Sequence, residues 1–263
     1  MPTPSLLPSD HTLYDIELLR ALRGRRLSGE LKVLCVIGAH RFDELPLINR
    51  LFPSLRHIYL FEPQAGPLAA LNLLAAQDSR IKVFPVAVSD ADGVASFNVA
   101  SNDGESSSLL QLGSHRELFP EVTMQTAIEV PTRRLDSVLT EHGLESPDLM
   151  IIDVQGAEYR VLKSFSPAVL DRLRLVYTEV STEAVYESSG LLSDVEALLS
   201  SRFQNIGFAA IRADVPMHGN AVFVARADTD AALSRTTREL LRRAFRLFKQ
   251  RVRGRPVAVG GGG

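Results

Sequence analysis

Several kinds of protein are excluded by what this 263-residue chain lacks. It has one cysteine, Cys35, set in an apolar run, so no disulfide framework and no cysteine zinc cluster can form within the chain. A buried structural thiol is the expectation there. No stretch approaches the ~20 apolar residues that a spanning helix needs. The first residues, MPTPSLLPSDHTLYDIELL, have neither the cationic start nor the apolar core of a secretory signal, so a soluble cytoplasmic protein is expected. Net charge is only −2, so the chain as a whole is not built around nucleic acid. What is present is globular in kind: 45% of residues are hydrophobic and 23% charged, which permits a sizeable core.

The near-neutral charge hides an asymmetry. Nine of the 29 basic residues lie between Arg235 and Arg255, with one of the 31 acids. The remainder holds 20 basic against 30 acidic residues, a body of −10 beside a tail of +8. In that tail Leu241, Phe245, Phe248 and Val252 fall at helical spacing, with arginines largely elsewhere. A basic amphipathic helix of this kind suits peripheral contact with a membrane surface through 235–255, or packing on the acidic body. Nucleic acid is not an expected partner of it. A second amphipathic helix is predicted over 12–25, within an N-terminal extension at 1–30. The terminal glycines read as a loose tail.

Between these ends, at 31–228, short apolar runs alternate with segments of helical pattern. The runs are LKVLCVIG (31–38), HIYLFEP (57–63), IKVFPVAV (81–88), DLMIIDV (148–154) and LVYTEV (175–180). Being apolar on both faces, they fit parallel strands buried on both sides. The stretches 67–77 and 158–170 read as helices between them. Two later runs, 203–213 and 219–226, are joined by a short polar, Pro-containing turn and suit an antiparallel pair at one edge. The expected fold is therefore α/β, with a mostly parallel sheet, helices on both faces and right-handed crossovers. The polar segment 101–115 follows a strand-like ASFNV and reads either as a mobile loop over a site or as a solvated connection.

In an open parallel sheet, ligands bind at the carboxyl ends of the strands, near the point where strand order reverses. The first run ends in Gly38-Ala39-His40; one glycine suits a tight turn, but the G-x-G-x-x-G dinucleotide fingerprint is absent. The second ends in Glu62-Pro63, an acid placed to hold ribose hydroxyls or simply to precede a helix N-terminus. The fourth delivers Asp153 to the sheet mouth, followed by Gln155, Gly156 and Glu158. An acid ending a buried run needs a partner, whereas Glu158 also suits the first turn of a helix. The fifth ends in Glu179, with Tyr186 soon after. Carboxylates converging on one edge suit a cationic ligand or a hydroxyl to be deprotonated.

Taken in order, GAH, FEP, AVSDADG, the SSSLL loop, RRLDSVL, PDLMIIDVQGAEYRVLKSF and YTEV with Tyr186 resemble the FkbM family of S-adenosylmethionine-dependent methyltransferases, over about Leu31 to Arg226. The resemblance implies a Rossmann-like class I methyltransferase fold, a seven-stranded sheet with an antiparallel last strand, and O-methylation, frequently of a sugar or polyketide hydroxyl. The implied cofactor is S-adenosylmethionine and the implied partner a small-molecule or glycan acceptor. By position, Gly38, Ala39, Glu62 and Pro63 would line the cofactor, with Ala87, Val88 and Ser89 near its adenine. Asp153 and Gln155 would sit beside the methyl group, and Glu158, Glu179 and Tyr186 further into the acceptor pocket. Asp153 is the first candidate base, with Glu179 and His40 behind it; His40 also reads as a plain loop residue. The family's first turn is D-V-G-A-N-x-G; here Val36 replaces the acid, His40 the asparagine, and the later glycine is absent. A divalent metal is not expected, although Asp153 with Glu179 could hold one.

Overall fold

The computed structural model describes residues 30–228. The predicted helix at 12–25 and the basic tail at 235–255 lie outside the described residues. The first strand, β1 (Val33–Ile37), is followed by helix α1 (Leu45–Leu51), β2 (His57–Phe61), α2 (Ala65–Gln77) and β3 (Ile81–Phe84). Three strands then lie outside the main sheet or lead into it: β4 (Ala87–Val88), β5 (Gly93–Ala100) and β6 (Met124–Arg133), with the single-turn α3 (His115–Leu118) before the last. The second half runs α4 (Leu135–Glu141), β7 (Leu149–Ile152), α5 (Glu158–Lys163), α6 (Pro167–Arg172), β8 (Leu175–Ser181), α7 (Leu192–Leu199), β9 (Phe203–Arg212) and β10 (Val215–Ala225).

Seven strands form the main sheet in the order β3-β2-β1-β7-β8-β10-β9. The first five pair in parallel, while β10 is antiparallel to both β8 and β9. Strand order reverses at β1, which has β2 on one side and β7 on the other, so the carboxyl ends of β1 and β7 open the crevice of the sheet. All five residues of β1 are buried, and they alternate between two apolar layers. Leu34 and Val36 join α1 and α2 on one face, while Val33, Cys35 and Ile37 join α4, α5, α6 and α7 on the other. Cys35 is fully buried, and burial pushes its thiol well above the ordinary range, as suits an inert core group.

Four local features differ from the sequence expectation. The run 81–88 is two strands in two sheets, because Pro85 has no N–H to continue a ladder. The helix expected over 158–170 is two, because Ser166 accepts from the Val169 N–H at 3.4 Å and Pro167 opens a new first turn. The hairpin between β9 and β10 turns at Ala213-Asp214, so Pro216, Met217 and His218 belong to β10 rather than to the turn. Finally, β6 carries no strand assignment from sequence, yet it is the centre of a second sheet ordered β4-β6-β5. Pro131 is tolerated within it because β4 pairs only with Thr132 and Arg133, leaving that side of Pro131 without a ladder to break.

Asp148 ties the start of β7 to the start of β1. Its buried carboxylate accepts from the Lys32 and Val33 N–H groups at 2.8 and 3.1 Å and from Arg172 Nε at 2.8 Å. Asp148→Ala leaves these donors facing a void, so we predict a loss of about 3 kcal/mol, seen as a melting temperature lower by roughly 6–12 °C in calorimetry. Melting within a degree of wild type would show that the clasp is not structural.

Candidate active site

The turn after β1 is shaped by close approach. Gly38 sits at φ +80°, and a Cβ there would lie 1.7 Å from the Asp153 carbonyl oxygen, so only glycine fits. Its N–H and that of Ala39 both donate to the Phe61 carbonyl at 3.0 Å, folding the turn onto the end of β2. Glu62 follows there, 2% exposed, and accepts from the His40 N–H through Oε2 at 2.9 Å and the Gln64 N–H through Oε1 at 2.8 Å. Burial raises its pKa, and those hydrogen bonds oppose the rise. Each carboxylate oxygen keeps a lone pair for a further donor. Ala39 is buried beside this turn and Pro63 flanks it; Ala87, Val88 and Ser89 open the second sheet, with the Ser89 N–H on the Arg133 carbonyl. Val36 is core, packed with Leu34 and Leu60, so the position offers no polar group.

His40 belongs to this turn and not to the carboxylate group. Its ring Nε2 lies 3.1 Å from the Asp103 carbonyl oxygen, and Arg41 bridges the Asp103 carboxylate at 2.5 Å. These contacts begin a strap that settles the reading of 101–115. The segment is bonded to the site turns and partly buried, with Asp103, Glu105 and Gln111 exposed. Ser107 Oγ donates to Gln64 Oε1 at 3.1 Å, Gln64 Nε2 donates to the Gly104 carbonyl at 3.2 Å, and the fully buried Ser108 donates to the Gln155 carbonyl at 2.7 Å. Further on, Gly113 and Glu187 complete backbone bonds between the strap and the Tyr186 segment.

At the ends of β7 and β8 the structure gathers Asp153, Glu158 and Glu179. One oxygen from each lies within 4.8 Å of the others, a spacing compatible with a shared divalent cation. The chain itself supplies neutral donors. Gln155, held at φ +57°, points its amide nitrogen at Asp153 Oδ1 at 2.6 Å and at Glu179 Oε2 at 2.8 Å. Its amide oxygen accepts from the Tyr186 hydroxyl at 2.5 Å, and Tyr186 is 1% exposed against Gly156. Glu158 Oε1 accepts the Val154 and Gly156 N–H groups at 3.0 and 3.1 Å.

Burial and crowding raise the proton affinity of Asp153 and Glu158. Burial and then the Glu179 charge push Glu158 up to about 7. Surrounding protein, then Glu179 and Glu158, push Asp153 well above the usual carboxylate range, against the Gln155 hydrogen bond. Unlike the other two, Asp153 keeps an exposed face at the mouth. Two histidines absent from the sequence reading complete the site. His218, on β10, lies 3.2 Å from Glu179 Oε1. His115 packs on Tyr186, and burial, then the neighbouring His218, lower it to about 4, which keeps it neutral. A polar letter inside the apolar run after Pro216 was the available sign of His218. A groove of about 460 Å³ lined by Lys82, Phe84, Arg133 and His142 includes none of the predicted site residues.

A mostly parallel sheet reversing at β1 and closed by the antiparallel β10, with an acid after β2 and carboxylates after β7 and near the end of β8, is the Rossmann-like arrangement of class I S-adenosylmethionine-dependent methyltransferases. Residues 37–208 match the family described as the methyltransferase FkbM domain, and the chain belongs to that family. It is 35% identical over 175 residues to the 2-O-methyltransferase NoeI of Sinorhizobium fredii, covering 64% of this chain and 71% of that protein. It is 29% identical over 197 residues to the 31-O-demethyl-FK506 methyltransferase FkbM of Streptomyces tacrolimicus, covering 64% and 70%. The crystal structure of methyltransferase FkbM from Methylobacillus flagellatus shares the fold at 14% identity and a TM-score of 0.50, over 79% of this chain and 50% of that one.

The Glu158 environment yields a stability prediction of unusual sign for a carboxylate. The folded state holds its proton up to about 7, against an ordinary value of 4.5 in the unfolded chain. Its stabilisation is therefore full below pH 4.5 and is lost as pH climbs to about 7. Glu158→Gln should melt at a temperature that gains on wild type across that window. A constant difference between the two curves would remove the assignment.

Proposed function

We propose that the protein is an O-methyltransferase acting on a hydroxyl of a polyhydroxylated acceptor, a sugar of a glycan, glycolipid or natural product. The observation that carries the reading is the Asp153 carboxylate, which keeps an exposed face at the mouth and is raised in basicity by the surrounding protein and then by the acids beside it. Two family relatives whose names specify O-methylation support it.

Bound S-adenosylmethionine supplies a sulfonium methyl already activated for displacement. The chain's own task is then to align an acceptor oxygen and remove its proton. In this reading Asp153 takes the acceptor proton as the new O–CH3 bond forms and the S–CH3 bond breaks. A carboxylate with raised proton affinity is the stronger base for that transfer. Gln155 holds Asp153 in place, and the same amide holds Glu179 beside it. Glu62 fits the ribose of the cofactor, because its two oxygens retain free lone pairs for vicinal hydroxyls, beside a turn in which Gly38 carries no side chain. The His40 and Gln64 N–H groups orient that carboxylate rather than contact the ligand.

Two measurements check these roles. Glu62→Gln should weaken calorimetric binding of S-adenosylhomocysteine by about 10- to 150-fold, the worth of one charge-assisted hydrogen bond. Unchanged affinity would remove Glu62 from the cofactor site. Asp153→Asn should lower methyl transfer to a responsive glycan hydroxyl by about 10²- to 10⁴-fold while still binding the cofactor. If it turns over like wild type, Asp153 is not the base.

A further inference from the structure

A buried chain of side chains runs behind the carboxylates from the antiparallel strand. In the β8–β10 register His218 stands directly opposite Ser181. Its Nδ1 lies 2.8 Å from Ser181 Oγ, and its Nε2 lies 3.2 Å from Glu179 Oε1. The other Glu179 oxygen takes the Gln155 amide at 2.8 Å, and the same amide nitrogen reaches Asp153 at 2.6 Å. His218 is 3% exposed and Glu179 6%, so no solvent competes for these contacts. The groups facing His218 are Glu179 and Ser181 from β8, Glu158 from α5, the neutral His115 from α3, and the Phe119 ring edge.

The arrangement has one consistent polarity. The Gln155 nitrogen faces Asp153 and Glu179, which accept from it in their ionised forms, and its oxygen faces the Tyr186 hydroxyl. That polarity requires Glu179 to stay a fixed acceptor, although it is buried within reach of two other acids. Only His218 offers it a cationic donor among the contacts above. Burial alone would lower the His218 pKa; the Glu179 charge and hydrogen bond, with Glu158 behind, outweigh burial and raise it above 6.5.

We propose that His218 is a positioning residue for methyl transfer: clasped by Ser181, it fixes Glu179, and Glu179 fixes Asp153 through the Gln155 amide. The inference rests on the reading of Asp153 as proton acceptor. His218 touches neither acceptor nor cofactor in this role; it acts through the two side chains between.

The experiment uses the full chain and two variants. His218→Phe removes donor and charge; His218→Gln removes the charge but can still donate to Glu179. His218→Phe should lower kcat by about 10²-fold through misplacement of the base, with cofactor affinity unchanged, and His218→Gln should recover most of that loss. Both should move the acidic limb of the pH–rate profile to higher pH, because both remove a cation from beside the carboxylates. In parallel, NMR of the labelled wild type should show His218 titrating above 6.5. The Gln155 side-chain amide should shift at the same midpoint, and that shift should vanish in His218→Gln. A wild-type kcat and profile in His218→Phe, or a Gln155 amide indifferent to His218, overturns the proposal. If wild type methylates no hydroxyl acceptor, the function reading fails, while the NMR arm still reports whether His218 governs Gln155.

Discussion

Holding several carboxylates out of water at one end of a parallel sheet is the constraint from which most of the local structure follows. Glu62, Glu158 and Glu179 are all nearly inaccessible, and Asp153 lies against two of them. Buried negative charge is tolerated only where donors meet it. The donors here are of three kinds. Backbone N–H groups of sharp turns serve Glu62 and Glu158, a single amide is shared by Asp153 and Glu179, and an imidazole stands behind Glu179. The left-handed residues His40, Gln155 and Gly156 lie in those turns, because aiming N–H groups inward at a carboxylate bends the chain into conformations that regular structure does not use.

The strap at 101–115 has the same origin. The serines in it resemble solvated linker in composition, but Ser107 and Ser108 are buried, matching acceptors that would otherwise go unmet. Their partners, Gln64 and the Gln155 carbonyl, belong to the turns after β2 and β7. The strap therefore ties the turn after β2, proposed for the cofactor, to the turn after β7, proposed for the acceptor. Methyl transfer demands that two bound groups meet in line, and a hydrogen-bonded connection between these turns serves that geometry.

The altered first turn is instructive about how a family pattern tolerates change. Where the family pattern has an acid, Val36 packs into the apolar layer with Leu34 and Leu60. His40, where that pattern has asparagine, still supplies its backbone N–H to Glu62 while its ring reaches the strap. Gly38 survives unchanged because the Asp153 carbonyl occupies the space a Cβ would need. Glycine is kept at the close backbone contact of Gly38, whereas the later glycine of the pattern is Phe42 here, itself at φ +52°.

The main-sheet strands, their mostly parallel character and the acids at their carboxyl ends were legible in the sequence, because short runs apolar on both faces suit buried strands and a polar residue ending one suits the mouth. Glu62, Asp153 and Glu179 were found that way, and so was the antiparallel pair of the last two strands. His218 was not, since Pro216 and the polar residues around it read as a turn, and only the pairing of β10 with β8 puts its ring opposite Ser181. The strap serines and the Gln155 bridge were hidden for the same reason. Hydrophobic periodicity is a local property that a sequence displays directly, whereas a hydrogen bond between residues 24 or 37 positions apart exists only once register and turn geometry have brought them together.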